Sequence, residues 1–442
     1  MIRPRSWLVL AFLASASIAC GVDATSTETP NDPVDATASE LADEGTSAAT
    51  EPEAFAEPAA AAGCTATVGT AKELMITDLR VVEDAARTAP GGAWTFGKLM
   101  SDMAGTGDPQ TFVRRWLAAW ETDRKINGFT VPARASIGAQ VVDPWPKDAA
   151  GKLDLTKSPM RLLAIVNRLD LRDLSKGNAG EGRFVFGVTR NGSPLSFTVI
   201  LEYKLVAKNA TELKAWADLW HALGALPLGS AAYNAKLQQI TDKFAGKNAD
   251  PTRPNGSSIG QVRTNEIALA SPWELREFHV SATSGLLAET TIAKTPSSAL
   301  LNDPRTGRFI NARETQIVSG NFGVPLTFED LPFRGANAPT DFGTIWNPPN
   351  ATNKNARHLF SVNTCNGCHG GETRTAFLHV APRSAGQATT LSGFLTGSDV
   401  TDPVTGKVRH FDDLARRKKD MQNLLCATPA AAAAQPVNTR VH

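Results

Sequence analysis

At 442 residues, with 42% hydrophobic and 20% charged side chains and a formal net charge of +1, the chain has the composition of a folded globular protein with room for two or three domains, which excludes a fibrous or wholly disordered polypeptide. The charge is unevenly spread: residues 21–63 hold ten acidic side chains and no Lys or Arg, leaving 43 basic against 34 acidic side chains from residue 64 onward. Diluted over so long a body, that surplus reads as a solvated surface, and no nucleic-acid partner is expected.

Residues 1–20 open with Arg3 and Arg5, continue through a short apolar run and end in small residues before Cys20, the order of an export signal. The apolar run is too short to cross a bilayer core of about 30 Å as a helix. Ser17-Ile18-Ala19-Cys20 resembles the bacterial lipoprotein box, in which the cysteine becomes an acylated N-terminus. Ser17 stands where that family usually has Leu, so cleavage by the ordinary signal peptidase stays open. The resemblance implies lipidation at Cys20 and a membrane anchored through it. Gly21 rather than Asp after the cysteine implies no inner-membrane retention signal, hence an outer-membrane location facing the periplasm or the cell surface. Residues 21–63 are acidic and rich in Ala, Thr, Ser and Pro, with Phe55 the sole aromatic residue; they cannot bury a core and read as an extended tether.

From residue 64 to about 345 both hydrophobic periodicities appear. The spacing predicts helices over 94–103, 108–121, 211–226 and 230–244, the second with Phe112, Trp116, Leu117 and Trp120 on one face. Strands are predicted over 161–171, 183–189, 196–205, 261–269, 274–282 and 289–292, which are rich in Val, Ile, Phe and Thr. Runs of strands broken by one helical pair predict an α+β body with a largely antiparallel sheet. Its chemistry is not legible. Gly256-Ser257-Ser258-Ile259-Gly260 has the letters of a nucleophile elbow but lacks the strand before and the helix after Ser258. The carboxylates Asp170, Asp173, Glu181 and Glu202 are not distinguished from a solvated face.

After a Pro- and Asn-rich stretch, residues 346–428 form a second segment with helices predicted over 355–364, 388–395 and 412–425, the last capped by Asp412; residues 429–442 are a low-complexity tail. This segment carries Cys365-Asn366-Gly367-Cys368-His369, the C-x-x-C-H pattern of covalent haem attachment. Two cysteines at this spacing reach the two vinyl groups of one porphyrin, and the next residue falls beneath the ring, where an imidazole can ligate iron. Gly367, Gly370 and Gly371 are expected to let the backbone approach the porphyrin edge.

Over roughly the last 80 residues the chain thus resembles the c-type cytochromes, which implies a small, mainly α-helical segment, one covalent haem c on Cys365 and Cys368, His369 as axial ligand, and electron transfer to a redox partner protein. The family's usual second ligand, a Met in a loop, has no clear counterpart. His379 is the first candidate and Met421 the alternative, although Met421 shares a helical face with Leu414 and Leu425; His410, His358, His279 and His221 are weaker ones. A five-coordinate iron would suit a peroxidase-like oxidoreductase rather than an electron carrier. Arg374 and Arg383 are candidates to pair with the haem propionates. Arg416-Arg417-Lys418-Lys419 reads as a solvated helix face, or as a docking patch for an acidic partner. A structural C-x-x-C in a non-catalytic envelope scaffold, as a local disulfide or half of a zinc site, also stays open. Cys64 and Cys426 remain, and in an oxidising compartment such a pair is expected to be bonded.

Overall fold

The computed structural model describes residues 64–428 and 431–432; the export signal with Cys20, the acidic tether and most of the tail lie outside the described residues. Eight strands form one antiparallel sheet: β1 (Met75–Ile76), β2 (Met160–Arg168), β3 (Asn178–Arg190), β4 (Ser193–Val206), β5 (Ile259–Glu266), β6 (Trp273–Val280), β7 (Leu287–Thr290) and β8 (Ala338–Thr340). Their order is β1-β2-β3-β4-β5-β6, and the outer edge of β6 is shared, β8 pairing with Trp273 to Leu275 and β7 with Glu277 to Val280. The α+β architecture with a largely antiparallel sheet is therefore the one observed.

Alternation along the strands separates two faces. Phe197, Val199, Leu201, Tyr203 and Leu205 of β4, with Phe184, Phe186 and Val188 of β3, enter the largest apolar cluster. Four helices cover that face: α1 (Phe96–Met103), α2 (Pro109–Leu117), α3 (Ala210–His221) and α4 (Ala231–Ala245). Each starts at a residue whose side chain accepts a backbone N–H of the first turn, Thr95, Asp108, Asn209 and Ser230 respectively. Trp116 and Trp120 of this layer meet edge to face at 5.5 Å, and Trp120 lies 5.3 Å from Phe278 of β6. Charge on this face gathers at the β5–β6 edge, where Arg134 pairs with Glu266 at 2.7 Å and with Glu274 at 2.9 Å.

The other face carries Val166, Val185, Thr198, Ile200, Glu202, Arg263, Asn265 and Leu275, and is covered by the C-terminal segment. That segment holds α5 (Lys354–Val362), the single turn α6 (Cys365–Cys368), a hairpin of β9 (Ser398–Thr401) and β10 (Val408–Phe411), and α7 (Asp413–Cys426) capped by Asp412. The change of composition near residue 345 brings no break in packing: Val380, Phe394, Leu395 and Leu414 share a cluster with Met75, Leu163, Val166 and Val185 of the sheet. The sulfurs of Cys64 and Cys426 are bonded, joining the start of the described chain to the end of α7.

Two local readings need correction. The helix expected over 388–395 is reduced to Gly393–Thr396, because Val380 bridges Leu391 and Ala381 donates to Thr390 as extended chain, the conformation the β-branched pair Thr389-Thr390 favours. The β9–β10 hairpin was not anticipated, although its turn contains Asp402, Pro403 and Gly406.

Candidate functional site

The C-x-x-C-H motif begins where α5 ends. Thr364 caps α6, its hydroxyl accepting from Gly367 N–H at 3.1 Å, and Cys365 N–H donates to Thr295 Oγ1 at 2.9 Å. A Cβ on Gly367 would stand 2.0 Å from Ser361 O, and one on Gly371 2.3 Å from Gly343 O. These glycines are thus required by neighbouring backbone, a different reason from the one expected. Cys365 and Cys368 are unbonded and buried. Burial pushes the Cys365 thiol up to about 11 and Cys368 well above its ordinary value. Redox-active C-x-x-C pairs depend on lowered thiol pKa values, so this environment argues against that use.

His369 is buried, and its Nδ1 lies 2.6 Å from the carbonyl of Phe377. A carbonyl only accepts, so Nδ1 carries the proton; burial holds the imidazole neutral by pushing its pKa down to about 4. This tautomer puts the lone pair on Nε2, and such a backbone bond is how metal-ligating histidines are oriented. Phe377 is held at φ 65°, a strained setting for a bulky residue, which aims both its carbonyl and its ring at the site. Trp273 of β6 stacks on the His369 ring at 4.9 Å and 21°. His379 stands on the same cavity, 4.3 Å from His369 between ring centroids, with Nε2 3.4 Å from Cys368 Sγ and Nδ1 2.8 Å from Ser392 Oγ.

Cys365, His369 and His379 line a cavity of about 680 Å3, part of it open to solvent, whose other wall is the sheet. Its apolar lining includes Val166, Val185, Ile200, Leu275, Val380 and Leu395; its basic lining is Arg168, Arg183, Arg263 and Arg417. Glu202 lies between Arg183 and Arg263, 3.4 Å from each, and Arg263 also pairs with Glu277 at 2.9 Å. Arg417 pairs with Asp413 at 2.5 Å, while its Nε–H and Nη1–H are buried with no acceptor among the described residues.

Sequence reasoning found the motif and His379 but missed the sheet's contribution. Arg183, Glu202 and Arg263 alternate with apolar residues and so look like a solvated face; only the covering segment makes them interior. Arg383 is tied instead to Glu83 and to Leu162 O, and Arg374 is exposed; neither lines the cavity. The basic run is not wholly solvated, since Arg416 reaches Asp170 and Asp413 at 2.7 Å and Arg417 is buried. Met421 packs in the helix-side core, its sulfur 3.7 Å from Asn167 Nδ2, and is not brought to the cavity. His221, His279 and His410 pair with Glu73, Glu277 and Asp399 away from it. Ser258 is buried, its hydroxyl on Phe244 O.

Among the described residues, the grouping close enough for a metal ion is His358, Glu372 and Asp402. The Arg357 guanidinium already sits against both carboxylates, at 2.8 and 3.1 Å, so the group is an internally satisfied ion network. The motif's cysteines and histidines do not converge to that degree among the described residues. No protein-family model, curated protein or solved structure matches the chain.

The residues present fit a covalent porphyrin. The cavity between the C-terminal segment and the sheet combines apolar walls with a few convergent basic groups, as ligand pockets do. Of the two unbonded thiols in one helical turn, that of Cys365 borders it beside a neutral, correctly protonated imidazole, and Arg417 offers two buried donors suited to carboxylates such as the propionates. His379 does not fit as the opposite ligand in this conformation. Two imidazoles flanking one metal at about 2 Å each have centroids roughly 6 Å apart, more than the 4.3 Å observed.

Proposed function

We propose that this chain is an exported, lipid-anchored protein of the cell envelope that holds one haem c on Cys365 and Cys368, with His369 as axial ligand, and serves in electron transfer. The observation that carries the reading is the His369 Nδ1 bond to Phe377 O at 2.6 Å, next to a helical turn that holds two buried unbonded thiols. A bound haem would supply one-electron chemistry. The chain would bind it through both cysteines, orient His369 through the Phe377 carbonyl and Trp273, and receive carboxylates at Arg417. The Cys64–Cys426 bond supports an oxidising compartment, and with it the export reading of residues 1–20.

Expression of the full chain with haem-attachment machinery in such a compartment tests this. The expected product is coloured, shows a sharp reduced α-band and keeps the porphyrin mass after denaturation; a colourless protein with two titratable thiols in 365–369 ends the reading. The separation of His379 from an opposing position favours one second reading, a site open to small ligands. Carbon monoxide added to the reduced protein shifts the spectrum in that case and leaves it unchanged if both axial positions are filled by the chain.

A further inference from the structure

From His369 a run of aromatic rings leads outward. Trp273 lies flat against the imidazole at 4.9 Å and 21°, Phe377 lies nearly parallel to Trp273 at 6.1 Å and 12°, and Phe342 meets Phe377 edge to face at 6.2 Å. The two ends differ in exposure: Trp273 is fully buried, Phe377 is half-buried and Phe342 is 62% exposed. We propose that Trp273, Phe377 and Phe342 are the path by which electrons pass between the group on His369 and the surface, with Phe342 the exchange point. This rests on the haem reading above.

Three features set the run apart from ordinary packing. Electronic coupling falls less steeply through touching π-systems than through gaps or saturated side chains, and each step here is a direct ring contact in a geometry aromatic pairs favour. Phe377 does two things at once: its carbonyl binds His369 Nδ1 and its ring continues the stack, both secured by a left-handed backbone at φ 65°. An exposed phenyl ring is unremarkable by itself, but this one touches the ring that touches the buried tryptophan. A competing run, His379 to Phe394 at 5.0 Å and Phe394 to Phe411 at 5.6 Å, is tilted by 43° and 44° and ends on a half-buried ring. It also starts from a tilted contact of 55° between His369 and His379. In the proposed step one electron leaves a reduced donor at the Phe342 face, which is oxidised by one, and reduces the iron held by His369 by one; no proton transfer is required.

The test uses the haem-loaded full chain carrying a photoreducible ruthenium complex on Phe342→Cys, with the same label on Leu331→Cys, another exposed apolar position, as control. Flash-induced electron arrival is followed by the haem absorption. Replacing Phe377 by Leu keeps an apolar side chain and the backbone carbonyl but removes the ring; it is expected to slow arrival from position 342 by roughly tenfold or more beyond what any change in driving force, read from the variant's own midpoint potential, accounts for. Phe377→Tyr should restore the rate, Trp273→Leu should repeat the loss, and arrival from position 331 should be insensitive to Phe377→Leu. A coloured protein in which Phe377→Leu leaves the position-342 rate within about twofold, or in which Phe394→Leu alone slows it, overturns the path and leaves the haem reading standing. A colourless protein, evident before any label is attached, overturns both.

Discussion

The two faces of the sheet are built from the same strands and solve opposite problems. The helix-covered face packs Phe184, Phe186, Phe197 and Phe278 against Trp116 and Trp120, and its stability comes from apolar area removed from water. The other face buries Arg183, Glu202 and Arg263 beneath the segment that carries the cysteines. Burying charge there lowers stability unless every group is paired, and such an arrangement is retained where a site needs it. One face carries the main apolar core, and the other borders the cavity.

Substitutions on the two faces should therefore separate stability from cofactor retention. Phe278→Ala, on the helix side, is expected to cost about 3–5 kcal/mol in chemical denaturation while the native fraction keeps one porphyrin per chain. Arg263→Leu leaves Glu202 and Glu277 without their shared partner and is expected to cost a similar 3–5 kcal/mol or so, but it should also shift the midpoint potential and the reduced spectrum. Equal spectra in the two variants would mean that the polar face is only structural.

Loss of the covalent link between the faces comes next. Cys64→Ser with Cys426→Ser frees the end of α7, which bears Arg417 towards the cavity and Met421 towards the helix-side core. A loss of about 2–5 kcal/mol is expected, measured as a lower denaturation midpoint, with weaker retention of non-covalently supplied haem in a Cys365→Ser, Cys368→Ser background. A smaller, pH-dependent effect belongs to the helix side. Burial pushes the Glu266 carboxyl up to about 7 in the folded chain, with nearby Glu274 adding to it and Arg134 opposing. A carboxyl whose folded value lies above its unfolded value of about 4.5 binds its proton more tightly when folded. Its stabilising contribution is therefore full below about pH 4.5 and is lost as pH rises through 7. The full chain should be more stable at pH 5.5 than at pH 8, by on the order of 2 kcal/mol from this group, and Glu266→Gln should flatten that difference.

What could be read from the sequence follows the same division. The strands of the helix-covered face announced themselves because alternation of Phe, Val and Leu is a strong signal, and the helices because their caps and apolar stripes are local. The motif and the Cys64–Cys426 bond were legible from residue type and arithmetic. The site's second wall was not. In β4 and β5 the alternating Thr198, Glu202, Arg263 and Asn265 carry the pattern of a surface exposed to water, and nothing in the local sequence says that residues at positions 365–417 will cover it. Trp273 was hidden for the same reason, since its stacking on His369 joins positions 96 residues apart.

The smallest effect concerns the element that touches both faces. Asp412, recognised from the sequence as the start of the last helix, accepts Ala415 N–H at 2.9 Å, and Asp413 just inside the same turn pairs with Arg417. Asp412→Ala removes one cap and should cost about 1 kcal/mol, too little to unfold the chain. Because the cap lies near Arg417 and far from Met421, its loss should loosen the cavity side of α7 first. Amide exchange across α7 is the discriminating measurement: faster exchange confined to the first turns, with protection around Leu424 intact, fits a helix whose two ends serve different cores. Uniform loss along the helix would mean that α7 is held as a single unit and that the two faces are less independent than their chemistry suggests.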